Sequence, residues 1–429
     1  MKKIITSFLF IIVMLSSFAQ APSEKCATMS NFNKRVLNDP LVQDRMNQME
    51  AATQHWIANH PNALKKKGNA KSLASVYIPV VVHVLWNDPI ENISTAQIQS
   101  QIDILNEDFR LLNADSLDPS HPFWAYTVDS EIEFCLASYD PNGNPTNGIV
   151  RTFTNVTAFD GTTHDEKYTA SGGSDNWDPT EYLNIWVCNL DASNGTLGYA
   201  TFPSDLATTP NEDGVVIRYE AFGNIGTAGT GGFSANDLGR TATHEVGHWL
   251  NLRHIWGDAQ CGDDFVNDTE IAEGENYGCP SFPHRPNNLC GSGPDGEMYM
   301  NYMDYVDDYC MNMFTFDQAD RMWAALSLER SGLLTSMGCA DPSSVNEANL
   351  QLGFEVYPNP SSGEVTIGCK KNVDINVTVY DVFGSNVKTY EGVNQFPFTI
   401  NVNDLSNGIY FFKISSFGKF ITKKVTVTK

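Results

Sequence analysis

The segment His244-Glu245-Val246-Gly247-His248-Trp249-Leu250-Asn251-Leu252-Arg253-His254 constrains this chain more than any other. Positions four apart lie one turn apart on the same face of a helix, so His244 and His248 can present two imidazoles to one point. His254 follows six residues later. On a continuing helix it would sit about 240° further round, facing away. The chain must therefore leave the helix and turn near Asn251, and Asn is one of the few non-glycine residues that enter the left-handed region readily. Three imidazoles gathered in this way suit one tetrahedral zinc. Glu245 lies beside the first of them, where its carboxylate can act as a general base on water activated by the metal. A purely structural zinc would have no use for that carboxylate.

The 429 residues are too many for one small domain and imply two or three. A net charge of -24 argues against nucleic acid as a partner, because phosphate binding needs clustered Lys and Arg. It is compatible with calcium bound through carboxylates. At the amino end, Lys2 and Lys3 precede an apolar run from Ile4 to Met14 and then small residues. This predicts a secretory signal peptide over 1–19, cut near Ala19, and no later segment is apolar enough to span a bilayer. Nine cysteines fit an oxidising compartment, and the odd count leaves at least one without a partner in the chain. For Cys261, Cys279, Cys290 and Cys310 the sequence allows three pairings. Cys135 and Cys188 fall in predicted strands and read as buried thiols.

Residues 24–60 read as polar and helical, with Met46, Met49, Ala52 and Trp56 at helical spacing. Lys65 to Lys71 is a basic, exposed stretch of the kind that proteases cut. Tyr77 to Trp86 is almost continuously apolar and predicts a central strand buried on both faces. A helix follows from Thr95, with Ser94 and Gln97 as a capping box and Ile98, Ile102, Leu105 and Phe109 on one face. Further strands are predicted at Ile132–Ala137, Leu183–Cys188, Leu197–Phe202 and Val215–Tyr219, and a second helix near Asn236. This order gives an α/β catalytic domain, with a mixed sheet beside the metal-binding helix. Residues 341–353 read as a linker, and 354–429 as a small all-β sandwich.

The three-histidine segment resembles the metzincin signature, with Asn251 where that signature normally has glycine. Met300-Asn301-Tyr302-Met303-Asp304-Tyr305 resembles the methionine turn beneath the metal in that clan. Together the two are similar to the pappalysin family, especially its bacterial members, over about residues 75 to 340. The resemblance implies a zinc endopeptidase acting on protein or peptide substrates outside the cell. Met303 would cushion the metal, and Tyr305 would steady the tetrahedral intermediate. Asp264, Thr269 and the carbonyl of Asn267 would hold calcium, and the pairs would be Cys261 with Cys290 and Cys279 with Cys310. Leu197–Phe202 looks like the edge strand above the cleft, to which an extended peptide could add. Asp307 and Asp308 could favour Arg or Lys just after the scissile bond.

Val356-Tyr357-Pro358-Asn359-Pro360, Val379 to Gly384 and Leu405 to Phe411 resemble the type A sorting domain of type IX secretion, which implies that machinery as a partner. The expected order is signal peptide 1–19, propeptide 20–73, catalytic domain 74–340, linker 341–353 and sorting domain 354–429. Cys26 has two readings. It could pair with Cys339, or it could hold the zymogen latent by offering its sulfur to the zinc, as a similar propeptide cysteine does in some pappalysins. A rival reading of the whole chain is a surface adhesion protein with an inactive zinc domain. Loss of the general base would favour that rival, and Glu245 is present.

Overall fold

The computed structural model describes residues 24–60, 75–191, 195–339, 354–369, 375–381, 385–416 and 419–429. The predicted signal peptide, the Lys65 to Lys71 stretch and the linker lie outside them.

The chain opens with α1 (Thr28–Asn38) and α2 (Leu41–Asn59). The helical stretch read over 24–60 is divided at Asp39, which is extended with φ -143° and ψ 102°. The ring of Pro40 disfavours helix in the residue before it. Met46 and Met49 are buried as their spacing predicts, but Thr53 takes the next inward position and Ala52 is only half-buried.

The central strand is β1 (Val76–Trp86), with eight consecutive buried residues. Its first half pairs with β2 (Ile132–Leu136) and its second half with β3 (Ile149–Phe153), both parallel. On its other side come β4 (Leu183–Cys188), then β6 (Val215–Arg218), then the edge strand β5 (Gly198–Ala200). Only β5 runs antiparallel, so this is the mixed sheet expected. The sequence pattern missed β3, which is short and half-exposed.

Helix α3 (Thr95–Phe109) buries Ile98, Ile102, Leu105 and Phe109 against the sheet. Its capping box is only half made. Ser94 Oγ accepts from Gln97 N at 3.1 Å, but the Gln97 amide turns away. It donates to Phe222 O at 2.8 Å and accepts from Thr227 N at 3.0 Å. Buried loop backbone must find partners, and here that need outweighs the cap.

The metal-binding helix α4 (Arg240–Trp249) starts four residues later than expected. Gly239 is left-handed at φ 73°, and the Asp308 carboxylate accepts from Leu238 N and Arg240 N at 3.0 and 3.1 Å, so the cap comes from a distant loop. Helix α5 (Phe316–Leu328) completes the domain.

Cys261–Cys290 and Cys279–Cys310 form. A third disulfide, Cys135–Cys339, corrects two readings at once. Cys135 is not a buried thiol, and Cys339 is not a partner for Cys26. The segment before Cys339 meets the chain just past β2, with Ser138 N donating to Gly338 O at 2.7 Å, and this brings residues 204 apart together. Cys26 and Cys188 stay reduced and buried.

Seven strands follow: β7 (Glu355–Tyr357), β8 (Glu364–Gly368), β9 (Ile375–Tyr380), β10 (Asn386–Val393), β11 (Phe398–Asn401), β12 (Gly408–Ser416) and β13 (Lys419–Val427). They make sheets of four and three strands around their own core of Val365, Ile367, Val377, Phe412 and Ile414. Among the described residues no helix is long and apolar enough to cross a membrane.

Candidate metal centre and cleft

Helix α4 presents His244 and His248 from one face. The backbone then turns left-handed at Asn251, φ 72°, and returns His254 to the same point. His248 Nε2 lies 3.1 Å from Nε2 of both His244 and His254. Each Nδ1 faces an acceptor: Tyr302 O at 2.7 Å for His244, Leu252 O at 2.8 Å for His248, and the Asp258 carboxylate for His254. A ring whose Nδ1 proton is donated outward carries a bare lone pair on Nε2. Three such lone pairs pointed at one another repel unless a cation lies between them. Tetrahedral zinc at about 2.05 Å from each nitrogen separates them by about 3.4 Å, close to the spacing seen. The donor set therefore fits the ion.

The electrostatics agree. Burial, then neighbouring His254, lowers His244 to about 3, and burial takes His248 well below its ordinary range, so both are neutral and ready to coordinate at neutral pH. Met303 lies under the site, and a Cβ on Gly247 would come 2.5 Å from its sulfur. Trp256 stacks on His254 with centroids 4.4 Å apart. Tyr305 is buried against His254, 4.9 Å between centroids.

Glu245 Oε2 accepts from Thr28 Oγ1 at 3.0 Å and from Cys26 Sγ at 3.4 Å, while Oε1 is buried with no hydrogen bond. Burial pushes this carboxyl up to about 8, and the contacts from Cys26 and Thr28 pull against it. Burial, then the charge of Glu245, also holds the Cys26 thiol well above its usual range. A cation at the three imidazoles would draw both groups back toward their charged forms. One ligand atom from each of Cys26, His244, His248 and His254 lies within 4.8 Å of the others.

The amino-terminal segment reaches the cleft as an added strand. Leu197 N donates to Lys25 O at 2.8 Å, Ala27 N to Gly198 O at 3.0 Å, and Ala200 N to Thr28 Oγ1 at 2.9 Å. It runs parallel to β5. Tyr305 Oη donates to Cys26 O at 3.2 Å. Lys25 Nζ lies 3.6 Å from Asp307. Asp308 is engaged in capping α4 beside Arg240, so of the two acids Asp307 is the one that meets Lys25. In the loop that follows, Thr269 Oγ1 donates to buried Asp264 at 2.9 Å, whereas Asn267 is exposed.

Sequence reasoning missed Thr28, Asp258 and Asp108. Asp108 accepts from Arg240, from Thr243 at 2.7 Å and from Tyr302 at 2.8 Å, and so ties α3 to α4 and to the carbonyl that orients His244. The four-residue step from His254 to Asp258 was a readable signal. The partners of Asp108 are too distant in sequence to leave one.

Comparison with known proteins follows this geometry. Residues 167–327 match the family model described as pregnancy-associated plasma protein-A, and residues 355–428 match the secretion system C-terminal sorting domain. The chain is similar to promirolysin of Tannerella forsythia at 42% identity and TM-score 0.64, covering 73% of this chain and 97% of that one. It is similar to mature mirolysin of the same organism, in complex with a cleaved peptide, at 48% identity and TM-score 0.57, covering 62% and 97%. An extracellular metalloprotease of Trichophyton verrucosum is 30% identical over 63% of this chain and 85% of its own length. One from Colletotrichum graminicola is 41% identical over 30% of this chain, and less than half of that relative, 46%, is spanned.

Proposed function

Because this chain belongs to the pregnancy-associated plasma protein-A family of metallopeptidases, the pappalysins, we propose a mechanism in which Glu245 moves the protons of peptide hydrolysis and Cys26 withholds them until the propeptide leaves. The chain is a metalloendopeptidase directed to the cell exterior or surface, with a type IX sorting domain. The observation that carries the mechanism is the convergence of three imidazole nitrogens on one point beside a buried carboxylate with an unpaired oxygen.

His244, His248 and His254 would hold zinc. When bound, zinc supplies a Lewis acid that polarises the scissile carbonyl and acidifies water. Glu245 Oε1 takes the proton from that water and hands it to the departing amine. The Tyr305 hydroxyl, which now donates to the carbonyl of Cys26, donates to the carbonyl under attack. Cys26 O thus stands in for a scissile carbonyl. Its chain runs parallel to β5, so its amide is inverted relative to an antiparallel substrate. The Cys26 sulfur occupies the place the reacting water needs.

Protein and peptide chains are the substrates. Asp307, which here meets Lys25, favours a basic residue just after the cut. Asp264, Thr269 and the carbonyl of Asn267 would hold calcium, which would stiffen the loop between α4 and the methionine turn. The type IX machinery reads the carboxy-terminal domain.

The test is Glu245→Gln. It should retain zinc and lose activity on a mixed peptide library by about a hundredfold or more. Ordinary turnover in the zinc-loaded variant would overturn the mechanism.

A further inference from the structure

The amino-terminal segment does more than cover the metal. It follows the wall of the cleft from Gly198 past Phe202 to Asp205. Cys26 lies beside Gly198 and Thr28 beside Ala200. Phe32 meets Phe202 edge to face at 5.9 Å, and Phe202 in turn packs on His248 at 5.7 Å. Arg35 follows one helical turn later. Its guanidinium forks between Asp205 at 2.8 Å and Glu212 at 2.7 Å. Asp205 lies one 3₁₀ turn beyond Phe202, and space of about 470 Å³ adjoins the seat.

Asp205 is buried, and burial raises its carboxyl, while Arg35 is the first of the groups that pull it back. One guanidinium bridges two carboxylates in a partly desolvated seat, which sets the contact apart from an ordinary surface pair. When the segment leaves, Phe202 and the two carboxylates are uncovered together, and the carboxylates lose the Arg35 guanidinium.

Resting on the peptidase reading above, we propose that Asp205 and Glu212 form a specificity site for Arg or Lys on the upstream side of the scissile bond. A substrate antiparallel to β5 has its amino-terminal side toward Phe202 and Asp205. Counted at about 3.3 Å per residue along the extended backbone from Gly198 to Phe202, with Asp205 one 3₁₀ turn beyond, the basic residue falls about three to five positions before the cut. Phe202 offers an apolar surface to the residues between.

The test uses the processed, zinc-loaded protein and pairs of peptides that differ only in Arg or Gln at one of these positions. Each pair is made in a cleavable form and in an uncleavable form with a reduced scissile amide. The Arg peptide should bind about tenfold more tightly and be cut with a correspondingly higher kcat/KM at one of the positions. That ratio should fall close to one in Asp205→Asn/Glu212→Gln. In Glu212→Lys, where the new ammonium offsets Asp205, it should likewise fall close to one. Each ratio is taken within one protein, so a loss of folded material cancels. A wild-type ratio near one at all three positions, or a ratio that survives neutralisation of both carboxylates, overturns the proposal. If the uncleavable peptides show the preference but neither cleavable peptide is cut, the site stands and the peptidase reading fails.

Discussion

One methyl group at position 247 measures how tightly the metal site is built. The Cβ of an alanine there would lie 2.5 Å from the sulfur of Met303, which is fully buried. A thioether is flexible, but one held on all sides can yield only by moving the turn it belongs to, at about 1–3 kcal/mol. Gly247→Ala should therefore fold with a lower melting temperature and bind zinc more weakly. Scanning calorimetry and zinc titration read these, and wild-type values in both would show that the turn gives freely. The second prediction concerns Cys26. Cys26→Ala removes the sulfur beside Glu245 but leaves the hydrogen bonds of Lys25, Ala27 and Thr28 to β5. If the sulfur enforces latency, the uncut variant should show activity on a small fluorogenic peptide where the uncut wild type shows none. A variant that stays silent until it is cut would assign latency to the strand itself. The histidines and Glu245 were legible because their relation is local, a matter of helical period and one left-handed turn. The groups that orient them were not. Tyr302 O, Thr28 and Asp108 meet the site from segments 58 to 217 residues away in sequence, and only packing brings them there.

At the scale of elements, β1, β4, β5 and β6 were legible because they are buried on both faces, where continuous apolar sequence is the signal, and β2 because its apolar Ile132 and Phe134 alternate inward. Strand β3 pairs with β1 over five residues but is half-exposed, so its sequence shows neither a continuous apolar run nor a clean alternation. The Cys135–Cys339 pair was illegible for a related reason, since a separation of 204 residues says nothing about proximity. The loop after α4 yields a prediction of its own. Burial pushes Asp264 up to about 7, with Thr269 and Val266 N pulling it down. A carboxyl raised in the folded state contributes stability below its ordinary value of 3.8 and loses it as pH rises through about 7. Bound calcium would take the place of the proton and remove that loss. A calcium-selective chelator should thus lower the melting temperature strongly at about pH 8 and little at about pH 5, where the proton substitutes for the ion. Asp264→Asn should abolish the difference. An equal effect at both pH values, or none at either, would remove calcium from this loop.

For the molecule as a whole, the question is what a cut between propeptide and catalytic domain achieves. The Lys65 to Lys71 stretch lies after every contact described for residues 24–60, so a cut there leaves all of those contacts in place. The hold that remains is extensive. Phe32, Val42 and Met46 bury Phe202, Arg35 bridges Asp205 and Glu212, and Thr53 bonds Asn251 at the turn that returns His254. Glu50 meets Arg321 with both oxygens at 2.8 Å, and this contact keeps the Glu50 carboxyl below its usual range despite burial. Contacts of this number outlast the loss of a linker, because a tether contributes only effective concentration. Activity should therefore lag behind the first cut. It should rise when the segment dissociates or is cut again within 24–60. Phe32→Ala removes an aromatic ring worth about 3 kcal/mol and should shorten the lag by at least about tenfold while leaving the rate of the first cut unchanged. Following cleavage on gels and activity on a fluorogenic peptide in the same time course separates the two events. If activity rises in step with the first cut in the wild type, the tether rather than the buried surface keeps the cleft closed.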